Sequence, residues 1–345
     1  MAYPFTKVHS AVNWNNVIDN YTHWFWEQNL KQLWTDTEMK PLKDMKVWKN
    51  DSLMTPEKRW VYSRALGGLT LLDTKQANVG MPMIAYAVED EQRKGVLSLM
   101  GMMENIHAKS YSTIFTTLMV KEEIDEVFAW VENNRYLQYK AETIESYYMR
   151  LFKPKDQLTQ KEIYMAMVAS VFLESFLFYS GFFYPLYLAG QSPAMMFHSG
   201  EIINLILRDE SIHGVYIGLL AQEIYSNKLT DVERAEVDAE MYELLQKLME
   251  NEVAYTEDIY ACINLDAEVK KFLKYNANKA LMNLGKPALY QSVVIDPVVE
   301  NGLSTETKTH DFFSAKGNGY QKGKVEPIED EDFKFNLDDE FIVAA

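Results

Sequence analysis

Two of the chain's six histidines follow a glutamate by three residues, giving Glu104-x-x-His107 and Glu210-x-x-His213. On a helix, positions i and i+3 share a face, so each pair converges on one point. Carboxylate oxygen and imidazole nitrogen together suit iron or manganese. One such pair alone reads equally well as a surface ion pair or a core histidine with its hydrogen bonds made. Two further acids change that reading. Asp73 ends the apolar run Leu69-Thr70-Leu71-Leu72, and Glu174 ends Val171-Phe172-Leu173. Asp73 precedes Glu104 by 31 residues, and Glu174 precedes Glu210 by 36. The order carboxylate, then Glu-x-x-His, therefore occurs twice. A buried carboxylate without a partner is costly, so acids in such surroundings call for cations. Four carboxylates match the charge of two divalent ions.

The elements that must position these groups are helices. At a rise of 1.5 Å per residue, a gap of 31 to 36 residues lets a helix finish, turn and return antiparallel to the same level. Four helices then place four carboxylates and two histidines at one depth. This is the ferritin-like dimetal arrangement, with one carboxylate from each of two helices and Glu-x-x-His from the other two. The expected fold is all-α. Thr55-Pro56-Glu57 reads as an N-cap, a first-turn proline and an acidic first turn, opening a helix that runs to about Gly80. Val88-Glu89-Asp90 opens another, to about Leu118. Helices are expected near 122–132, 136–152 and 161–189, through Ile202 to Tyr225, and over 231–255 and 266–284. No run alternates with period two for long enough to suggest a sheet.

The segment from Tyr164 to Gly190 carries one charge, Glu174, and is long enough to span a bilayer. A carboxylate at mid-span is costly there, Pro185 interrupts the run, and no basic cluster flanks its far end. The central helix of a large bundle explains the run better. The opening MAYPFTKVHS lacks a basic stretch followed by an apolar one, so no signal peptide is expected. A net charge of −16 argues against a nucleic-acid partner, which needs a basic surface. Cys262 is the single cysteine, which rules out a disulfide framework and fits a reducing, cytoplasmic compartment. After Gly285 glycines, prolines and acids accumulate. The chain thus divides into a helical domain over 1–285 and a flexible acidic tail over 286–345. Phe333, Phe335 and Phe341 among the tail's acids suit docking on a partner.

The strings LTLLDT, MMENIHAKSYSTIF, VFLESFLFYSGF, RDESIHGVYIG and YNANKALMNLG occur in this order. Together they resemble the small, radical-generating subunit of class I ribonucleotide reductase, most closely the class Ib branch. The resemblance spans roughly residues 10 to 335. It implies that Asp73, Glu104 and His107 ligate one metal and Glu174, Glu210 and His213 the other, with some carboxylates bridging two manganese or two iron ions. Tyr111 follows His107 by four residues on the same face and matches the family's radical tyrosine. Phe178, Phe182 and Ile206 match its apolar radical pocket. Trp34 and Asp209, with His107, match a hydrogen-bonded path toward the surface. Tyr320 matches the tail tyrosine that hands the radical on. Ser175, Tyr179 and Lys279 match an oxidant channel. The partners implied are a second copy in a homodimer, a large catalytic subunit held by the tail, and a flavodoxin-like activator. One cysteine cannot supply a dithiol, and no glycine-rich phosphate loop is present, so reduction of the ribonucleotide belongs to the large subunit.

One departure concerns the tail. Ten residues, Asn336 to Ala345, follow Phe335, where the family's tail commonly stops soon after an acid-and-aromatic string. Two other functions use similar ligands. An iron-storing ferritin-like protein has no need of Tyr111, Trp34 or the tail. A dimetal oxygenase needs a substrate pocket where Phe178, Phe182 and Ile206 are expected to pack.

Overall fold

The computed structural model describes residues 11–303, apart from 292. Thirteen helices follow one another with no strand among the described residues. They are α1 (Asn20–Gln32), α2 (Met45–Trp48), α3 (Pro56–Lys75), α4 (Met81–Ala87), α5 (Glu91–Leu118), α6 (Lys121–Asn133), α7 (Arg135–Met149), α8 (Gln160–Phe172), α9 (Tyr179–Ala189), α10 (Phe197–Asn227), α11 (Asp231–Tyr260), α12 (Asp266–Asn283) and α13 (Pro297–Leu303). The all-α ferritin-like expectation is met, and the helix boundaries fall close to those read from capping residues. Thr55 caps α3 by accepting from the Lys58 amide, with Pro56 in the first turn. Asp90 caps α5 by accepting from the amides of Gln92 and Arg93. Thr159 with Glu162 and Thr230 with Glu233 form reciprocal capping boxes at α8 and α11.

The core is built by α3, α5, α8, α9 and α10. Helix α3 packs on α5 and α9, and α10 packs on α8, α9 and α5. The apolar run expected to be a central helix takes that place. Gln160–Ala189 contains the one stretch among the described residues long and apolar enough to cross a membrane, and its most apolar window is wholly buried inside the protein. Its side chains therefore meet other helices on every side, which explains its lack of a polar face.

Two features depart from the expected pattern. The first is a pair of π-helical turns, Gln76–Gly80 after α3 and Leu173–Leu177 between α8 and α9. In the second, the Phe178 amide donates to the Leu173 carbonyl, five residues back, at 3.3 Å. Each wide turn adds a residue to the helical register, and such turns gather at functional sites. The second feature is α13. Packed structure continues past Gly285, where composition changes. Val299 is buried, Asn204 donates to the Gly302 carbonyl at 2.7 Å, and α13 lies on α9. A Cβ on Gly190 would fall 1.8 Å from the Val298 carbonyl oxygen, so glycine is what allows this close approach. Tyr320 and the acids and aromatics of the tail lie outside the described residues.

Candidate metal centre

Asp73 lies in the last turn of α3, and Glu104, His107 and Tyr111 on one face of α5. Glu174 sits within the second π-helical turn, and Asp209, Glu210 and His213 on α10. All eight side chains are fully buried. The six expected ligands are brought together as two overlapping groups. Asp73, Glu104, His107 and Glu210 form one, and Glu104, Glu174, Glu210 and His213 the other, with ligand atoms in each lying within 4.8 Å of one another. Glu104 and Glu210 belong to both. His107 Nδ1 is 2.8 Å from Glu210 Oε1 and 3.4 Å from Asp73 Oδ1. His213 Nδ1 is 2.7 Å from Glu104 Oε1, 3.4 Å from Glu210 Oε2 and 3.9 Å from Glu174 Oε2. The two imidazole rings stack with centroids 6.0 Å apart.

These atoms approach closely without satisfying one another. Both oxygens of Asp73, Glu104 and Glu210, Glu174 Oε2, and Nδ1 of both histidines have no hydrogen-bond partner. Buried polar atoms are normally paired, so a converging set of orphans marks a place for cations. The donor set is oxygen with one nitrogen in each half, which fits two divalent transition metals of the iron and manganese type. The electrostatics agree. Burial, with Glu210 and Glu104 adding, holds the Asp73 carboxyl well above the usual range. Burial and the same two neighbours raise Glu174. Burial alone would raise Glu210 too, but the His107 ring beside it reverses the shift and keeps this carboxylate ionised. At His213 burial opposes the charged ring, yet Glu104 and Glu210 push its pKa up to about 9. The acids thus draw protons into the cluster as a substitute for positive charge.

A second set of contacts supports the first. Asp209 Oδ2 accepts from Trp34 Nε1 at 2.7 Å and lies 3.2 Å from His107 Nε2. Its Oδ1 accepts from Gln32 Nε2 at 2.7 Å and from Arg208 at 3.4 Å. Trp34, Asp209 and His107 are therefore joined by consecutive polar contacts. A carboxylate on the outer nitrogen of a ligand histidine fixes its tautomer and ring orientation. The Tyr111 hydroxyl has no partner, and burial followed by the charges of Asp73, Glu210 and Glu104 raises its pKa well above that of a free phenol. Phe178, Phe182 and Ile206 are fully buried. Ser175 and Tyr179 are nearly so, while Lys279 is partly buried with its ammonium over the Tyr275 ring.

Sequence reasoning missed four polar residues here. Gln32 contacts Asp209, and Gln76, Tyr148 and Ser170 form a cluster against Glu174. Only Ser170, in the uncharged run before Glu174, carried a local hint, because the partners of the others are up to 177 residues away in the chain.

Comparison with known proteins gives one answer. Residues 11–297 match the family model for the ribonucleotide reductase small chain. The ribonucleoside-diphosphate reductase subunit beta of Bacillus subtilis is 53% identical over 338 residues, covering 98% of this chain and 100% of the relative. The subunit beta nrdF2 of Mycobacterium tuberculosis is 40% identical over 329 residues, covering 94% of this chain and 97% of that one. The crystal structure of the Streptococcus sanguinis dimanganese(II)-NrdF is 42% identical, with a TM-score of 0.79, and covers 86% of this chain and 100% of its own. A match of this length, over a fold that gathers those six ligands, places the chain in the ribonucleotide reductase small-chain family.

Proposed function

We propose that this chain is the radical-generating beta subunit of a ribonucleoside-diphosphate reductase and that Tyr111 is the residue it oxidises. The observation that carries the reading is the buried six-ligand cluster with an unpartnered phenol on the same helical face. Asp73 and His107 would hold one metal and Glu174 and His213 the other, with Glu104 and Glu210 shared between the two groups. Once oxidised by an external oxidant, a bound pair of redox-active ions would supply the oxidising equivalent. The dimanganese state of the Streptococcus relative favours manganese, although the donors suit iron equally.

Tyr111 gives up one electron and its phenolic proton. Burial keeps the phenol protonated until then and afterwards keeps water and reductants from the radical. Asp209 orients His107 and joins it to Trp34, which starts the path outward. Tyr320 and the acidic tail continue that path and dock the large subunit. With one cysteine this chain cannot supply the dithiol that replaces the ribose 2′-hydroxyl, so reduction falls to that partner. We further infer a homodimer, activation by a flavodoxin-like protein, an oxidant route past Ser175, Tyr179 and Lys279, and a cytoplasmic setting. The domain division follows the same logic, with the metal-binding helices preceding a docking tail, and the packed α13 belongs with the helices.

The test is electron paramagnetic resonance of protein loaded with iron(II) and oxygen, or with manganese(II) and its activator. The wild type yields a tyrosyl radical, and Tyr111→Phe loses it while retaining two metals per chain. A variant that keeps the same signal refutes the assignment of Tyr111.

A further inference from the structure

The two halves of the cluster are held differently. Asp73 has both oxygens without a hydrogen-bond partner, whereas Glu174 has one oxygen held and one free. Gln76 Nε2 donates to Glu174 Oε1 at 2.5 Å and to Ser170 Oγ at 2.7 Å. The Tyr148 hydroxyl donates to Gln76 Oε1 at 2.7 Å. All four side chains are buried. A primary amide has one acceptor end and one donor end. The Glu174 carboxylate, which only accepts, takes the NH₂, and Tyr148 anchors the carbonyl end that remains. Both partners lie on π-helical turns, Gln76 opening the first and Glu174 inside the second. Space is reserved for the contact as well. A Cβ on Gly80 would fall 2.2 Å from Gln76 Oε1 and 2.8 Å from the Tyr148 ring.

We infer that Gln76, anchored by Tyr148, is a positioning residue that restricts Glu174 to a one-oxygen ligand and so sets the affinity of the Glu174–His213 half separately from the Asp73–His107 half. An amide that holds one carboxylate oxygen leaves Oε2 as the free donor atom, and a ligand fixed in advance binds more tightly than one that must be ordered. The inference rests on the dimetal reading, because it concerns how one of the two ions is held.

The experiment is titration of metal-free full-length chain with manganese(II) alone, with unbound ion read by electron paramagnetic resonance. Wild type binding two ions per chain is the reference, and failure to bind them would overturn the dimetal reading itself. Gln76→Met keeps the side chain's length and loses the amide. Tyr148→Phe leaves Glu174 untouched but removes the bond that anchors the amide's carbonyl. Each is expected to weaken one of the two ions by about 10- to 100-fold, the usual cost of removing a ligand's hydrogen-bond partner, while the other stays within about threefold. The double variant should be no weaker than Gln76→Met alone. Gly80→Ala, which displaces the amide from outside the centre, should weaken the same ion and stands in if Gln76→Met fails to fold. Unchanged affinities, equal weakening of both ions, or additive losses in the double variant would overturn the positioning role while leaving the two-metal centre intact.

Discussion

Replacing Asp209 with asparagine tests the link between the metal cluster and the surface. The carboxylate accepts on both sides, from Gln32 on Oδ1 and from Trp34 on Oδ2, each at 2.7 Å. Trp34 can only donate, so the new amide must turn its oxygen toward Trp34 and His107. Its NH₂ then faces Gln32 Nε2, and Gln32 must flip. That flip breaks the bond Gln32 Oε1 now accepts from Gln28 at 2.9 Å, which is only part-buried and so partly replaced by water. The two strong bonds fall from charge-assisted to neutral, losing about 1 kcal/mol each, for a total of about 2 kcal/mol. At about 2 °C per kcal/mol for a chain of this size, the melting temperature drops by about 4 °C. The assay pairs thermal unfolding of metal-free protein with two activities measured at saturating metal. Radical yield should hold within about twofold, while nucleotide reduction with the large subunit falls by about 10- to 100-fold. A melt unchanged within about 1 °C, with reduction at the wild-type rate, would refute both the bonding argument and the path.

Other outcomes follow from contacts elsewhere. Lys140 is fully buried and donates to Glu252 at 2.6 Å beneath the Tyr255 ring, so Lys140→Met should destabilise the chain by roughly 3–5 kcal/mol in chemical denaturation, and Lys140→Met with Glu252→Leu should recover most of that. Adding manganese(II) to metal-free protein should raise the melting temperature in a concentration-dependent way, and a chelator should reverse it, because ions bind the folded cluster and relieve its excess of acid. Glu223 accepts from Arg93 and Tyr21, and the Arg93 bond holds its carboxyl below the ordinary 4.5. Its contribution is therefore present above about pH 4.5 and disappears as pH falls through the lowered value, so Glu223→Gln should flatten that part of the acid-unfolding curve.

The fold was readable because the helices carry their own punctuation. Thr55-Pro56 and Asp90 announce starts that the structure keeps. The cluster was readable for a related reason. Acids and Glu-x-x-His pairs 31 and 36 residues apart on helices that turn back can meet at one level, and the structure brings the six side chains together in two overlapping groups. The π-helical turns left no trace, because a shifted hydrogen-bond register changes neither composition nor apolar period. Gln76 and Tyr148 were invisible for a different reason: they act across helices, and a lone glutamine or tyrosine has no local partner to reveal it. Helix α13 was hidden because its seven residues are too few to display a period, and it is ordered by packing on α9 rather than by propensity.

Asp209 also breaks a symmetry. The chain repeats carboxylate, then Glu-x-x-His, and the residue before the second Glu is Asp209, while the residue before the first is Met103. The outer nitrogen of His107 accordingly meets a carboxylate, whereas His213 Nε2 meets no partner at all. A centre built from two nearly equivalent halves is therefore polar, like a cell with one insulated terminal and one wired one. On the proposed function the hole would leave by the His107 side, because among the described residues only that imidazole's outer nitrogen meets a hydrogen-bonded carboxylate, and a single aspartate gives the repeat its direction.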